Sequence, residues 1–243
     1  MISYNLCMTP DIFSIREANE NDWDRISHLS SISGYEDYIN EMGIRFLKEG
    51  TTLMAGSPDP VGFMKITLLP DNLAWFSAIR VHPDFRRLGV GNALMREALV
   101  RSKQLHVKGC RLMIEDTNYR SKGLAEKNGF VEVLDLLLFE GGMDVSDLRC
   151  EEPDQGEFIS LGWEFCLYVP ALKKDLCKYT EAGSSIYHYK TPNGNYQMIS
   201  KPITRKIDHT VLYTSMPFQN LPETFPLKPV EDFKRAQVYE IRF

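Results

Sequence analysis

One stretch limits what this chain can fold into more than any other: Ile79 to Asn92, IRVHPDFRRLGVGN. An apolar run meets a proline, passes through a basic loop with two glycines, and continues into a helical pattern. A junction of this kind is an anion site, because free backbone N–H groups and the positive end of the dipole meet at a helix N-terminus. Gly89 and Gly91 let the backbone approach a phosphate with no Cβ in the way. Arg86 and Arg87 add charge of the kind that pairs phosphate oxygens in bidentate fashion. A dinucleotide fingerprint is excluded, since Gly91 is followed by Asn92-Ala93-Leu94. A Walker A loop is excluded too, for want of Gly-Lys-Ser/Thr.

The flanking pattern fixes the setting of that loop. Ile12–Ala18 reads as a strand, Asn21 as the N-cap of a helix to about Ile32, and Tyr35–Glu49 as a second helix stopped by Gly50. Strands follow at Thr51–Ala55, Val61–Leu69 and Leu73–Val81, joined by Ser-Pro-Asp-Pro and Pro-Asp-Asn turns. Turns that short imply an antiparallel meander. A helix from about Leu88 to Val107 carries Val90, Leu94, Ala98 and Leu105 along one face. Cys110–Glu115 reads as a strand, Asn118–Lys127 as a helix and Phe130–Phe139 as a long strand. The Leu73–Val81 strand, its helix and the Cys110 strand make a β-α-β unit, hence a parallel pair in a mixed sheet.

Between residues 143 and 157 six acids (Asp144, Asp147, Glu151, Glu152, Asp154, Glu157) accompany the single basic residue Arg149. That shift is read as a linker between a domain at 1–142 and a second at 158–243. Pro170 and Gly183 bracket a helix in the second domain. Thr-Pro-Asn-Gly-Asn marks a hairpin between strands Ser185–Lys190 and Tyr196–Ser200. Strands at Thr210–Met216 and Gln237–Phe243 are expected to complete that domain. Its order echoes that of Tyr35–Val81, so a degenerate internal repeat and a chance α+β likeness both stand open.

The formal net charge of −5 argues against nucleic-acid or membrane partners, which need a basic surface. Five widely spaced cysteines without a CxxC pair give no zinc or redox motif. Their number and the absence of a basic, apolar leader lead to a cytoplasmic expectation. His28, His106, His188 and His209 show no ligand spacing, so no metal is expected.

Val81-His82-Pro83, Arg86, Gly89 and Gly91 resemble motif A of the GNAT superfamily of N-acetyltransferases. A second element agrees with the family in register: Asn118, Ser121, Leu124, Gly129 and Phe130. The resemblance covers about residues 12 to 140. It implies a mixed, largely antiparallel sheet with splayed central strands flanked by helices, an α/β (α+β) fold. The C-terminal domain would be a smaller α+β unit, either a degenerate half of the same kind or unrelated to it. The resemblance implies acetyl-CoA as donor, with pantetheine along Ile79, Arg80 and Val81. Pyrophosphate would lie on Arg86, Arg87, Leu88, Gly89, Val90, Gly91 and Asn92. Asn118 and Ser121 would line the pantetheine side. Arg80 would meet the ribose phosphate or face solvent.

Transfer to an amine needs the amine neutral, so a base or a relaying water is required. The family's usual acid, a tyrosine, is replaced here by Ala125. Its usual strand carboxylate is absent from Trp75-Phe76-Ser77-Ala78. Catalytic residues are therefore unassigned, with Glu115, Asp116 and Tyr119 as substitutes. Tyr35, Asp37 and Tyr38 start the second helix, which forms the acceptor wall in the resembling family. The expected acceptor is a primary amine of a small molecule, amino acid or peptide. The alternative is a non-catalytic acyl-CoA-binding sensor or interaction module. Roles for the second domain are closing the acceptor site or forming a homodimer.

Overall fold

The computed structural model describes residues 13–34, 38–56, 59–69, 72–141 and 235–243, with the backbone of seven strands between 149 and 229. The chain runs β1 (Ile15–Glu17), a 3-10 turn at Glu20–Asp22, α1 (Trp23–Ile32), α2 (Tyr38–Met42) and α3 (Arg45–Lys48). Next come β2 (Thr51–Ala55), β3 (Gly62–Leu68), β4 (Ala74–Val81), a 3-10 turn at Pro83–Phe85 and α4 (Val90–Gln104). Then follow β5 (Gly109–Glu115), α5 (Tyr119–Lys127) and β6 (Val131–Gly141). The remaining strands are β7 (Arg149–Cys150), β8 (Glu157–Leu161), β9 (Phe165–Val169), β10 (Ser185–Thr191), β11 (Gly194–Pro202), β12 (Thr210–Thr214), β13 (Lys228–Pro229) and β14 (Arg235–Arg242).

Two compact units emerge, one of residues up to 68 with 76–107, the other of 69–75 with 108–243. In the first, strands pair in the order β1–β2–β3–β4, antiparallel where β2 meets β1 and β3. Ile26, Leu29, Ile39, Phe46, Met54 and Phe63 form a core on the α1–α3 face. The period of two along a strand turns Gly62 the other way, where α4 lies. A Cβ on Gly62 would come within 2.7 Å of Val90 and 3.2 Å of Leu94, so glycine there seats the helix. Val90, Leu94 and Ala98 of α4 are buried, as the pattern predicts.

In the second unit β4 enters through Ala74 and Trp75, parallel to Cys110 and Arg111 of β5. The expected β-α-β unit and mixed sheet are present. The order continues β5–β14–β6–β12–β11–β10–β7, and β8 and β9 form a separate ribbon. The predicted hairpin is the β10–β11 pair, closing at Thr191 and Gly194.

Several expectations are corrected. The strand near the C-terminus was expected among those of the second domain, but β14 pairs antiparallel with β5 on one side and β6 on the other. It is thus an interior strand, which fits its apolar Ala236, Val238 and Tyr239, all buried. Asn21 does not cap the first helix: it lies inside the 3-10 turn Glu20–Asp22, where Asn19 accepts from the Asn21 N–H and the Asp22 carboxylate accepts from the Asn19 N–H, a capping box, and α1 starts after it at Trp23. The expected helix over Tyr35–Glu49 is two short helices among the described residues, because Gly43 takes φ +61 and stops α2. Leu105 lies past the end of α4 and is 52% exposed. The helix bracketed by Pro170 and Gly183 lies outside the described residues, as does most of the 143–157 segment.

Candidate functional site

β4 is buried from Ala74 to Phe76 and only half-buried from Ser77 onward. At that change Ala78 sits at φ +53, in the left-handed region. An alanine there costs about 1 kcal/mol and persists only where the surroundings hold it. A left-handed residue within a strand is the backbone geometry that also occurs at β-bulges. The peptides at Ile79, Arg80 and Val81 follow directly. The Arg80 guanidinium donates to the Ile79 carbonyl at 3.0 Å.

The end of β4 is then fixed to the start of β3: the His82 N–H donates to the Val61 carbonyl at 2.9 Å. The His82 ring accepts from the Asp84 N–H at 3.2 Å and meets the Phe85 ring edge-on at 5.5 Å. It caps the Pro83–Phe85 turn, a structural role. Arg87 takes φ +66 and Gly89 φ +91. Gly89 is the N-cap of α4 and supplies no side-chain cap. A Cβ built on it meets nothing within 4 Å. The N-cap position of α4 is thus open, and the first-turn N–H groups beyond it have no intrahelical acceptor. Arg87, Leu88 and Gly89 are exposed, and Gly91 and Asn92 half-buried. This is a cradle suited to a multiply charged phosphate group.

Arg86 does something else. Its Nη2 donates to the Ser33 carbonyl at 2.5 Å and its Nε to the Val81 carbonyl at 3.4 Å. Ser33 is the buried C-cap of α1, so the guanidinium sits at the negative end of that helix. Arg87, by contrast, makes no ion pair among the described residues.

Of the acceptor candidates, Tyr35 and Asp37 lie outside the described residues. Tyr38 opens α2, half-buried against the α1–α3 core. Asn40 ties α2 to α1, accepting from Ser27 and donating to Ser31, both at 2.9 Å.

The other candidates belong to the second unit. Asn118 caps α5, its Oδ1 accepting from the Ser121 N–H at 3.1 Å. The Asn-x-x-Ser spacing thus has a local folding reason. Tyr119 is 76% exposed, with Lys122 Nζ 5.4 Å from its ring centre. Glu115 accepts from the Thr117 hydroxyl at 2.9 Å. Asp116 accepts from Lys122 Nζ at 2.9 Å and Gln237 Nε2 at 3.0 Å. The Lys122 hydrogen bond, then that of Gln237, holds the Asp116 carboxyl below the usual carboxylate range, which makes it a poor base. Ala125 is fully buried. No group of three or more metal-ligating side chains occurs among the described residues, and no helix there is long and apolar enough to cross a membrane.

Sequence reasoning missed three features. Lys65 is buried, donates to the Phe46 carbonyl at 2.5 Å and lies 4.2 Å from the Phe46 ring centre; burial pulls its pKa down to about 8. Arg111 of β5 and Glu240 of β14 form a buried ion pair, which no local pattern announces across 129 positions. Ala78 has no composition signal, since its strain is a property of the backbone alone.

Residues 15–130 match the model of the acetyltransferase (GNAT) family. No curated protein matches the chain by sequence. Among solved structures, a protein from Thermoplasma acidophilum assigned as an acetyltransferase is similar with a TM-score of 0.63 at 16% identity, covering 95% of this chain and 100% of that one. Another from Pyrococcus horikoshii, assigned likewise, gives 0.54 at 14% identity, covering 99% and 93%. Both likenesses concern the fold.

Proposed function

Residues 15–130 form a domain of the acetyltransferase (GNAT) family, and from that premise we propose that the protein moves an acetyl group from acetyl-CoA to a primary amine. The amine belongs to a small molecule, an amino acid or a peptide. The observation that carries the reading is the open N-terminus of α4 behind Gly89, with its left-handed φ and its unobstructed Cβ position. Bound there, the donor supplies an activated thioester. The N–H groups from Leu88 to Asn92 hold the pyrophosphate, and Arg87 adds its charge. The peptides at Ile79 to Val81, just after Ala78, hydrogen-bond the pantetheine arm. The Ile79 N–H meets the charge that grows on the carbonyl oxygen during attack.

Ser77 stands where a carboxylate is usual, and Asp116 is held ionised by its partners. Proton removal from the acceptor then falls to water, and the rate tracks the neutral fraction of the amine. The expected profile of kcat/KM rises about tenfold per pH unit below the acceptor's pKa.

The test combines calorimetric titration of acetyl-CoA with thiol release across an amine panel. Binding in the micromolar range, lost in Gly89→Trp, together with turnover of at least one amine, supports the reading. A second reading, an acyl-CoA sensor without turnover, draws on the buried Ala125 in place of the family's tyrosine. It predicts the same titration with no thiol release for any amine.

A further inference from the structure

We infer that Arg86 is a positioning residue, not a phosphate ligand: it ties the donor loop to the carboxyl end of α1 and passes donor binding on to the acceptor-side helices. This rests on the donor-site reading above. The motif suggests that both arginines serve the phosphates, but their surroundings differ. Arg87 is exposed and without an ion pair among the described residues. Two nitrogens of the Arg86 guanidinium are committed to carbonyls, Ser33 at 2.5 Å and Val81 at 3.4 Å.

Those two carbonyls belong to different segments. Val81 ends β4, the strand proposed to carry the pantetheine arm. Ser33 closes α1, whose last carbonyls lack intrahelical partners and carry the negative end of the dipole. A cation at that position is favoured, and its hydrogen bond to Ser33 is short, as charge-assisted bonds are. Ser33 is itself held, its hydroxyl donating to the Ser30 carbonyl at 2.7 Å. Gly34 follows at φ +81, and beyond it α2 is fastened to α1 through Asn40. One side chain thus joins the loop that binds the donor to the helix pair that bears Tyr38. Lysine cannot replace it, because a single ammonium on a flexible stem does not reach both carbonyls in a fixed fork.

The test uses the full chain with coenzyme A as probe and follows amide hydrogen exchange by mass spectrometry. In the unmodified protein, saturating coenzyme A slows exchange both in Gly89–Leu94 and in Leu29–Gly34. In Arg86→Gln and Arg86→Lys at saturation, protection of Gly89–Leu94 persists and that of Leu29–Gly34 is lost. Arg87→Gln weakens coenzyme A about tenfold, as expected for a lost charge-assisted contact, yet keeps both protections once saturated. Arg86→Lys retains the charge, so it serves where Arg86→Gln fails to fold. The inference is overturned if both peptides remain protected in the Arg86 variants at saturation, whatever their affinity; an affinity loss of more than roughly tenfold would then mark a direct phosphate contact. It is also overturned if Leu29–Gly34 never responds to coenzyme A in the unmodified protein. No protection of Gly89–Leu94 in that protein would instead mean that the donor-site reading itself has failed.

Discussion

The N-termini of α4 and α5 are both expected from the sequence to contact the donor, yet they differ in structure. α4 starts at Gly89, which contributes no side chain and has nothing within 4 Å of its Cβ position. α5 starts at Asn118, whose own amide oxygen takes the Ser121 N–H. An uncapped terminus carries unsatisfied donors that are costly unless water or a ligand meets them; a self-capped one has spent them on folding. The same division holds elsewhere. The 3-10 turn before α1 is closed by Asn19 and Asp22, and the carbonyl of Phe46 in α3 is closed by Lys65. The N-caps of α1 and α3, Asp22 and Ile44, also make no side-chain cap, so what sets α4 apart is a glycine N-cap with nothing within 4 Å of its Cβ position.

Filling the open end should have the largest effect. Gly89→Trp places bulk in empty space, so the fold is expected to survive with a strained φ. Acetyl-CoA affinity should drop at least about a hundredfold, near 3 kcal/mol. Gly89→Ala separates strain from bulk, since its Cβ meets nothing while φ +91 costs about 1 kcal/mol. Undoing a closed end should cost stability instead. Asp22 is buried and bound by Arg16 through two contacts of 2.7 Å, and Asp22→Ala should lower unfolding free energy by roughly 2–3 kcal/mol. The Arg16 hydrogen bond keeps the Asp22 carboxyl below its ordinary value. Its contribution is therefore complete above the unfolded value near 3.9 and lost as pH falls below it. Urea titrations between pH 2 and 6 measure both effects.

How much of this was legible beforehand follows the same division. Elements announced by local chemistry were readable: β2 at Thr51–Ala55 matches residue for residue, and the loop before α4 is visible in its glycines and arginines. The partners of β14 were not, because an interior strand at the end of a chain shows the same apolar alternation whichever sheet takes it. Arg86 was read from its neighbours in the motif, yet its partner Ser33 lies 53 positions away. Asn118 and Ser121 were read as ligand contacts, and their spacing is also that of a cap. Tertiary partners set such roles, and a motif carries only local information.

Lys65 offers a smaller and pH-specific test of a closed end. Its folded pKa of about 8, lowered by burial and only partly restored by Glu49, lies below the unfolded value near 10.4. The unfolded chain then binds more protons across that window, so stability should rise from pH 8 to about 10.4. Lys65→Met should flatten that rise, on the order of 2 kcal/mol. Smallest of all, Asn118→Ala should cost about 1 kcal/mol of stability, the usual worth of an N-cap, read from thermal unfolding.

The central claim is that the open terminus of α4 is the donor site. Calorimetric titration of acetyl-CoA into the unmodified protein and into Gly89→Trp, with folding of both checked by circular dichroism, tests it most directly. Micromolar binding to the first and none detectable to the second is the predicted result. Failure of the unmodified protein to bind below millimolar concentrations, or equal binding by both, would contradict it.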